Sequence, residues 1–263
     1  MFDRASSYAL GAALVCTLAV GLWACGLTAP SASSAAVVTT CSVPSDQSGT
    51  ISGRWPVAPM PIAFHQGDFA SEETASMTTA AKTWNTFFTA SKKLNVLDTG
   101  GDSARESSAN NPTLSGNLCA VGIIPGNTYT GNIVVYKDTK WPSAYAASAI
   151  ALTSFCVLPA KPYPKMYMAI MEMNYQTFFT SGQKQPDLES IFLHEGGHVL
   201  GLNHSCEGFQ KAGTPNCNDS SLNADYSAAV MFPVFSFDQS GVGQVKKILG
   251  TNDQSRANCL YGN

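Results

Sequence analysis

The densest chemistry in the chain lies between His194 and His204, in the stretch His-Glu-Gly-Gly-His-Val-Leu-Gly-Leu-Asn-His. On a helix, His194 and His198 are four residues apart and share one face, so two imidazoles can reach a single ion. Glu195 sits one step round the helix. There a carboxylate can hold a water on that ion, take its proton and later pass it to a leaving amine. A helix that simply continued would carry the next histidine away. Gly201, which has no Cβ, can adopt the left-handed conformation that ends helices and so return His204 as a third ligand. Three neutral nitrogens leave the fourth position of a zinc ion open, the mark of a catalytic rather than a structural site. Two core histidines could satisfy a bare H-E-x-x-H by accident, but not with the glycine and the third histidine also in register. The remaining histidine, His65, reads as an ordinary strand residue.

The extended motif resembles that of the metzincin zinc endopeptidases. With Ser205 after the third histidine it is most similar to the matrixins, the matrix metalloproteinase family, in a bacterial-type exported form. Ser-Ala-Ala-Val-Met-Phe-Pro at 227–233 resembles their methionine turn. That resemblance implies Met231 beneath the metal as a soft packing surface rather than a ligand. It also implies that Pro233 opens the wall of the S1′ pocket, with Val234 and Phe235 beyond it. The implied fold is α+β and zincin-like: a twisted, mostly parallel sheet of about five strands, three main helices, and the active-site helix at the centre. One catalytic Zn2+ is expected. The structural zinc of vertebrate matrixins needs further histidines, and none occurs between His65 and His194. Ca2+ is a further candidate, with Asp98, Asp102 and Asp138 as its ligands, but they lack a D-x-D-x-D-G register and solvated carboxylates are the simpler reading. Cys41-Ser-Val-Pro-Ser-Asp46 resembles the matrixin cysteine switch without its preceding arginine, and with an extra serine before Asp46. A structural disulfide is the simpler reading of Cys41.

The motif needs elements to carry it. Pro186-Asp187 suits a helix start, with Asp187 and Glu189 near the positive end of the dipole. Leu188, Ile191, Phe192, Leu193, Val199 and Leu200 go almost all round the axis, which predicts a centrally buried helix. Gly196 and Gly197 cost it about 1 kcal/mol each relative to alanine, and close approach of backbone or substrate would explain them. Met77, Ala80, Ala81, Trp84, Phe87 and Phe88 predict an earlier helix from Ser71, which can cap it. Arg54 to His65 resembles the opening strand of a matrixin catalytic domain, and further strands are expected at Leu94 to Leu97, Gly131 to Tyr136, Ala149 to Val157 and Lys165 to Asn174, with a polar loop over 98–117. In metzincins one of the last two strands is the sheet edge on which an extended peptide lies as an added strand. Thr251 and Gln254 offer a capping box for a closing helix, and Gly262 a stop.

At 263 residues, 44% hydrophobic and 13% charged, the chain can bury one sizeable core. A net charge of -3 and a pI near 5.8 exclude nucleic acid as a partner. Arg4 followed by an uncharged apolar run from Tyr8 to Ala24 reads as a targeting segment, and Leu-Trp-Ala-Cys-Gly at 22–26 resembles a bacterial lipobox. The organisation is then a lipoprotein-type signal peptide over 1–25, a flexible tether over 26–48 and a catalytic domain over 49–263. An ordinary signal peptide cut within Ser31 to Ala36, or a retained membrane anchor, are the alternatives. The protein is expected in the cell envelope, held only by a lipid on Cys25, or otherwise secreted, and as a monomer.

Export favours three disulfides among Cys41, Cys119, Cys156, Cys206, Cys217 and Cys259. Cys206 with Cys217 is the nearest pair, and closing that loop contributes about 3 kcal/mol. Cys119 with Cys156 and Cys41 with Cys259 follow by elimination. The function expected is a zinc-dependent endopeptidase acting on extended protein or peptide substrates, with Glu195 as general base. Two alternatives stand beside it: a catalytically silent zinc-containing binding or adhesion module, and a protease kept latent by Cys41 on the zinc.

Overall fold

One sheet organises the chain in a computed structural model that describes residues 37–103 and 133–261. Its strands are β1 (Met60–His65), β2 (Leu97–Ser103), β3 (Ile133–Asp138), β4 (Ala151–Leu158) and β5 (Lys165–Asn174), in the order β2-β1-β3-β5-β4. The first four in space run parallel, and β4 closes the edge antiparallel to β5. Inner parallel strands are covered on both faces, so they are apolar almost without alternation. Residues Ile133–Tyr136 of β3 are all buried, as are most of those in β5.

Helix α1 (Ser71–Lys92) and helix α2 (Leu188–Leu200) pack together against this sheet. Trp84 of α1 is fully buried, and its indole Nε1 donates to the carbonyl of Leu193 at 2.9 Å. Two short helices follow, α3 (Ala224–Ala228) and α4 (Thr251–Ala257). The mostly parallel five-stranded sheet with its helices is the α+β architecture expected from the sequence.

Several boundaries differ from the expected ones for identifiable reasons. β2 begins at Leu97 and runs through Gly100 and Gly101 into the supposed loop. Its entry is set by Asn85 of α1, whose amide accepts from Val96 N and Leu97 N at 2.9 Å and donates to Leu97 O at 2.7 Å. Ser71 is the first helical residue rather than the cap. Instead, Glu73 reaches back and accepts from the backbone N of Ala70 at 2.8 Å. At α4, Asp253 rather than Gln254 takes that role, accepting from Gly250 N at 2.9 Å, while Gln254 donates to Leu249 O.

The largest correction concerns the tether over 26–48, whose second half, 37–48, belongs to the domain. Val38 N donates to Gln254 Oε1 at 2.9 Å, Asn258 Nδ2 donates to Val38 O at 2.6 Å, and Cys41 is bonded to Cys259. A 3-10 turn at Ser45–Gln47 buries Gln47 completely. Its small polar residues are ordered by hydrogen bonds and a crosslink, which a count of large apolar groups does not register. The leader, the lipobox Cys25, the side chain of Asp102, Cys119 and Gly262 lie outside the described residues. Among the described residues, no helix is long and apolar enough to cross a membrane.

Candidate active site

The N-terminus of α2 is capped by Asp187, whose Oδ1 accepts from Ser190 N at 2.9 Å and Ser190 Oγ at 2.6 Å. The far end stops at Gly201, with φ 108° and its N–H on the carbonyls of Gly197 and His198. Leu202 N then returns to Gly197 O at 2.9 Å, the pattern of a left-handed C-cap. No other residue fits there. A Cβ on Gly201 would lie 1.9 Å from the carbonyl oxygen of Gly53, in addition to the strained φ. The last helical carbonyls, which have no partner within the helix, are taken up from outside. Trp55 Nε1 donates to Val199 O at 2.7 Å, Tyr261 Oη to Leu200 O at 2.8 Å, and Ser52 N to Gly201 O at 2.8 Å.

This reversal brings His194, His198 and His204 together, with one ligand-capable atom from each lying within 4.8 Å of the others. Nδ1 of His194 is 2.7 Å from Val230 O, and Nδ1 of His198 is 2.7 Å from Leu202 O. A carbonyl can only accept, so each Nδ1 carries the proton and each Nε2 keeps its lone pair for a metal. Burial, reinforced by the facing imidazoles, pushes His194 down to about 3 and His198 well below its ordinary value. Neutral, converging nitrogens are what zinc requires, so the residues fit the ion. Among the described residues this is the one such cluster of His, Cys, Asp or Glu, and Asp98 and Asp138 are not gathered into any second one.

Glu195 is buried beside the cluster, and its Oε2 accepts from Thr153 Oγ1 at 2.6 Å. Burial pushes its carboxyl up to about 7 against the opposing pull of the Thr153 bond. Thr153 was not singled out from the sequence. The available signal was its place on the strand expected at the cleft edge, where Ala151, Leu152 and Phe155 line the same cleft.

Met231 is fully buried against the active-site helix at Gly197. A Cβ on Gly197 would come within 2.2 Å of its Sδ, and one on Gly196 would press on the indole of Trp84 at 3.3 Å. The two glycines therefore admit Met231 and Trp84 against the helix, so the close neighbours are side chains rather than backbone or substrate. The methionine turn itself hangs on Asp253 of α4. Its Oδ2 accepts from Val230 N at 2.8 Å and its Oδ1 from Met231 N at 3.1 Å. Arg256 pairs with it at 3.9 Å, with neither side chain exposed, and donates from Nη1 to Asn203 O at 2.9 Å. One buried ion pair thus ties the methionine turn to the residue before His204. Burial raises the Asp253 carboxyl and lowers Arg256 to about 10.

The cleft above the histidines runs between the start of β4 with the residues just before it, from Ser148 to Thr153 together with Phe155, and a wall of Pro233, Val234, Phe235 and Phe237. Phe237 extends that wall beyond the expected residues. Cys206 and Cys217 are bonded, closing a loop directly after the third histidine. Cys156 is also disulfide-bonded, and its expected partner Cys119 lies outside the described residues. Cys41 is held by Cys259 on an arm whose Ser42 N donates to Ser255 O of α4. No thiolate remains on Cys41 to occupy a metal, which disfavours the latent-protease reading.

Compared with known proteins, the chain matches the family model Peptidase_M10, described as matrixin, over residues 76–209. No curated protein matches it. The matched span ends before the methionine turn, so the placement of Met231 is a structural observation independent of that match.

Proposed function

Since the chain belongs to the matrixin family, whose pattern covers just over half of it, we propose that it is a zinc-dependent endopeptidase cleaving extended protein or peptide substrates. The observation that carries this reading is the convergence of three imidazoles within 4.8 Å beside a buried carboxylate, in an open cleft. His194, His198 and His204 would hold the ion, their orientation set by the partners of Nδ1. Bound there, zinc supplies a Lewis acid for the scissile carbonyl and makes water more acidic. Glu195 takes the proton of the attacking water and delivers it to the leaving nitrogen. A carboxyl raised to about 7 by burial is suited to both transfers near neutral pH. β4 sits at the sheet edge with one side unpaired in the described sheet. It offers backbone groups to an extended substrate, so the apolar wall at 233–237 selects the side chain following the scissile bond.

The reading includes export through the leader over 1–25 and a lipid on Cys25. It is supported by disulfides, which persist in oxidising compartments. The test is cleavage of a peptide library by purified protein, read by mass spectrometry with and without a zinc chelator. Cleavage should vanish with chelator and return with zinc. Glu195→Gln should keep its zinc and lose turnover. A Glu195→Gln protein that cleaves as fast as wild type would sink the mechanism.

A further inference from the structure

Of the three imidazoles, His204 is the one whose Nδ1 faces a carboxylate. Those of His194 and His198 face backbone carbonyls at 2.7 Å, whereas Nδ1 of His204 lies 3.4 Å from Glu207 Oε2. Glu207 is not on a helix, yet its backbone is fixed on both sides. Its N–H donates to Pro215 O at 2.8 Å, and its carbonyl accepts from Cys217 N at 2.8 Å. Both contacts lie inside the loop closed by the Cys206–Cys217 disulfide. The second carboxylate oxygen faces Lys211 Nζ at 3.4 Å, and the side chain is only 13% exposed. His204, by contrast, is 29% exposed and stands on a turn, without the packing that sets the rotamers of the other two.

Resting on the zinc site proposed above, we infer that Glu207 is a positioning residue for the third ligand. Its carboxylate fixes the His204 ring so that Nδ1 keeps its proton and Nε2 faces the ion, and it makes that nitrogen a stronger donor. The disulfide loop is then part of the metal site, because it presents this carboxylate.

The test is the affinity for Zn2+ of purified wild type, Glu207→Gln and the Cys206→Ser/Cys217→Ser double variant. Each is measured by competition with a chromophoric chelator, alongside the melting temperature of the metal-free protein. Glutamine keeps the shape and an accepting oxygen but removes the charge. Glu207→Gln should bind zinc ~10-fold more weakly with an unchanged metal-free melting temperature. The double variant should lose at least as much affinity, because it frees the carboxylate from its frame. An affinity of Glu207→Gln within about twofold of wild type would overturn the inference and leave the proposed function standing. So would a loss that merely follows a lowered metal-free melting temperature, since that would make Glu207 a packing residue. Should wild type itself bind no zinc, the proposed function falls along with the inference.

Discussion

His194 and His198 are held differently from His204. The first two stand on a helix whose residues are buried almost all round, and their Nδ1 partners are main-chain carbonyls. The third stands on a turn held from four distant places. Asn203 N donates to Thr50 O at 2.8 Å, Gln47 Nε2 to Ser205 O at 2.7 Å, Arg256 to Asn203 O, and Ser205 N to Met231 O at 2.8 Å. Apolar packing and main-chain carbonyls suffice for a ligand on a helix. A ligand on a turn needs long-range polar contacts and crosslinks, each a separate point of failure.

The strongest way to break this contrast is Asp253→Ala. It leaves Arg256 buried without its counter-charge and strips the acceptor from Val230 N, Met231 N and Gly250 N. Breaking a buried pair on one side costs about 4 kcal/mol, so denaturant unfolding should show a loss of that order, together with failure to retain zinc. A melting curve like that of wild type would show the network is dispensable. Next comes the Cys41→Ser/Cys259→Ser variant, expected to lose about 3 kcal/mol. Its zinc affinity should fall as well, because the same arm carries Gln47 and Thr50 to the His204 turn. If stability fell while zinc affinity stayed constant, the arm would be only a fastener.

That division also explains what the sequence could and could not reveal. Helix α2 and the reversal at Gly201 were legible because each follows from local spacing or from one residue's conformational range. The matrixin resemblance extended that reading to Met231 and to the wall from Pro233. The arm over 37–48 was not legible, because its order comes from partners more than 150 positions away, such as Ser205 for Gln47. A compositional reading sees only small polar residues there. Gly196 and Gly197 were visible as anomalies, but their cause, Trp84 and the Met231 sulfur, appears only once three elements are packed.

Gly197→Ala sharpens the comparison from the helix side. Alanine gains about 1 kcal/mol of helix propensity, yet its Cβ would meet the Met231 sulfur at 2.2 Å and Trp84 at 3.2 Å. Overpacking of this kind typically costs about 2 kcal/mol, so the net effect should be a modest destabilisation with the metal site distorted. Adding Met231→Ala should recover part of the loss, because it removes the obstructing thioether. A single variant more stable than wild type would mean that Met231 moves aside freely and does not support the histidines.

The remaining effect, on catalysis rather than on stability, lies where the edge strand meets the helix. Thr153 donates to Glu195, so it favours the ionised carboxylate and opposes the upward push of burial. Thr153→Val keeps the shape of the side chain and deletes that donor. One hydrogen bond to a charged group contributes about 1.5 kcal/mol, or roughly 10-fold in rate if it is fully expressed in the chemical step. The sign with pH follows directly. Without the donor the carboxyl holds its proton more tightly, so the base becomes available only at higher pH, and the acidic limb of kcat/KM should move upward. Thr153→Ser retains the hydroxyl and should keep the wild-type profile. If the valine variant lost rate evenly at all pH values, or lost it only through KM, Thr153 would be shaping the substrate-binding edge instead of holding the carboxylate.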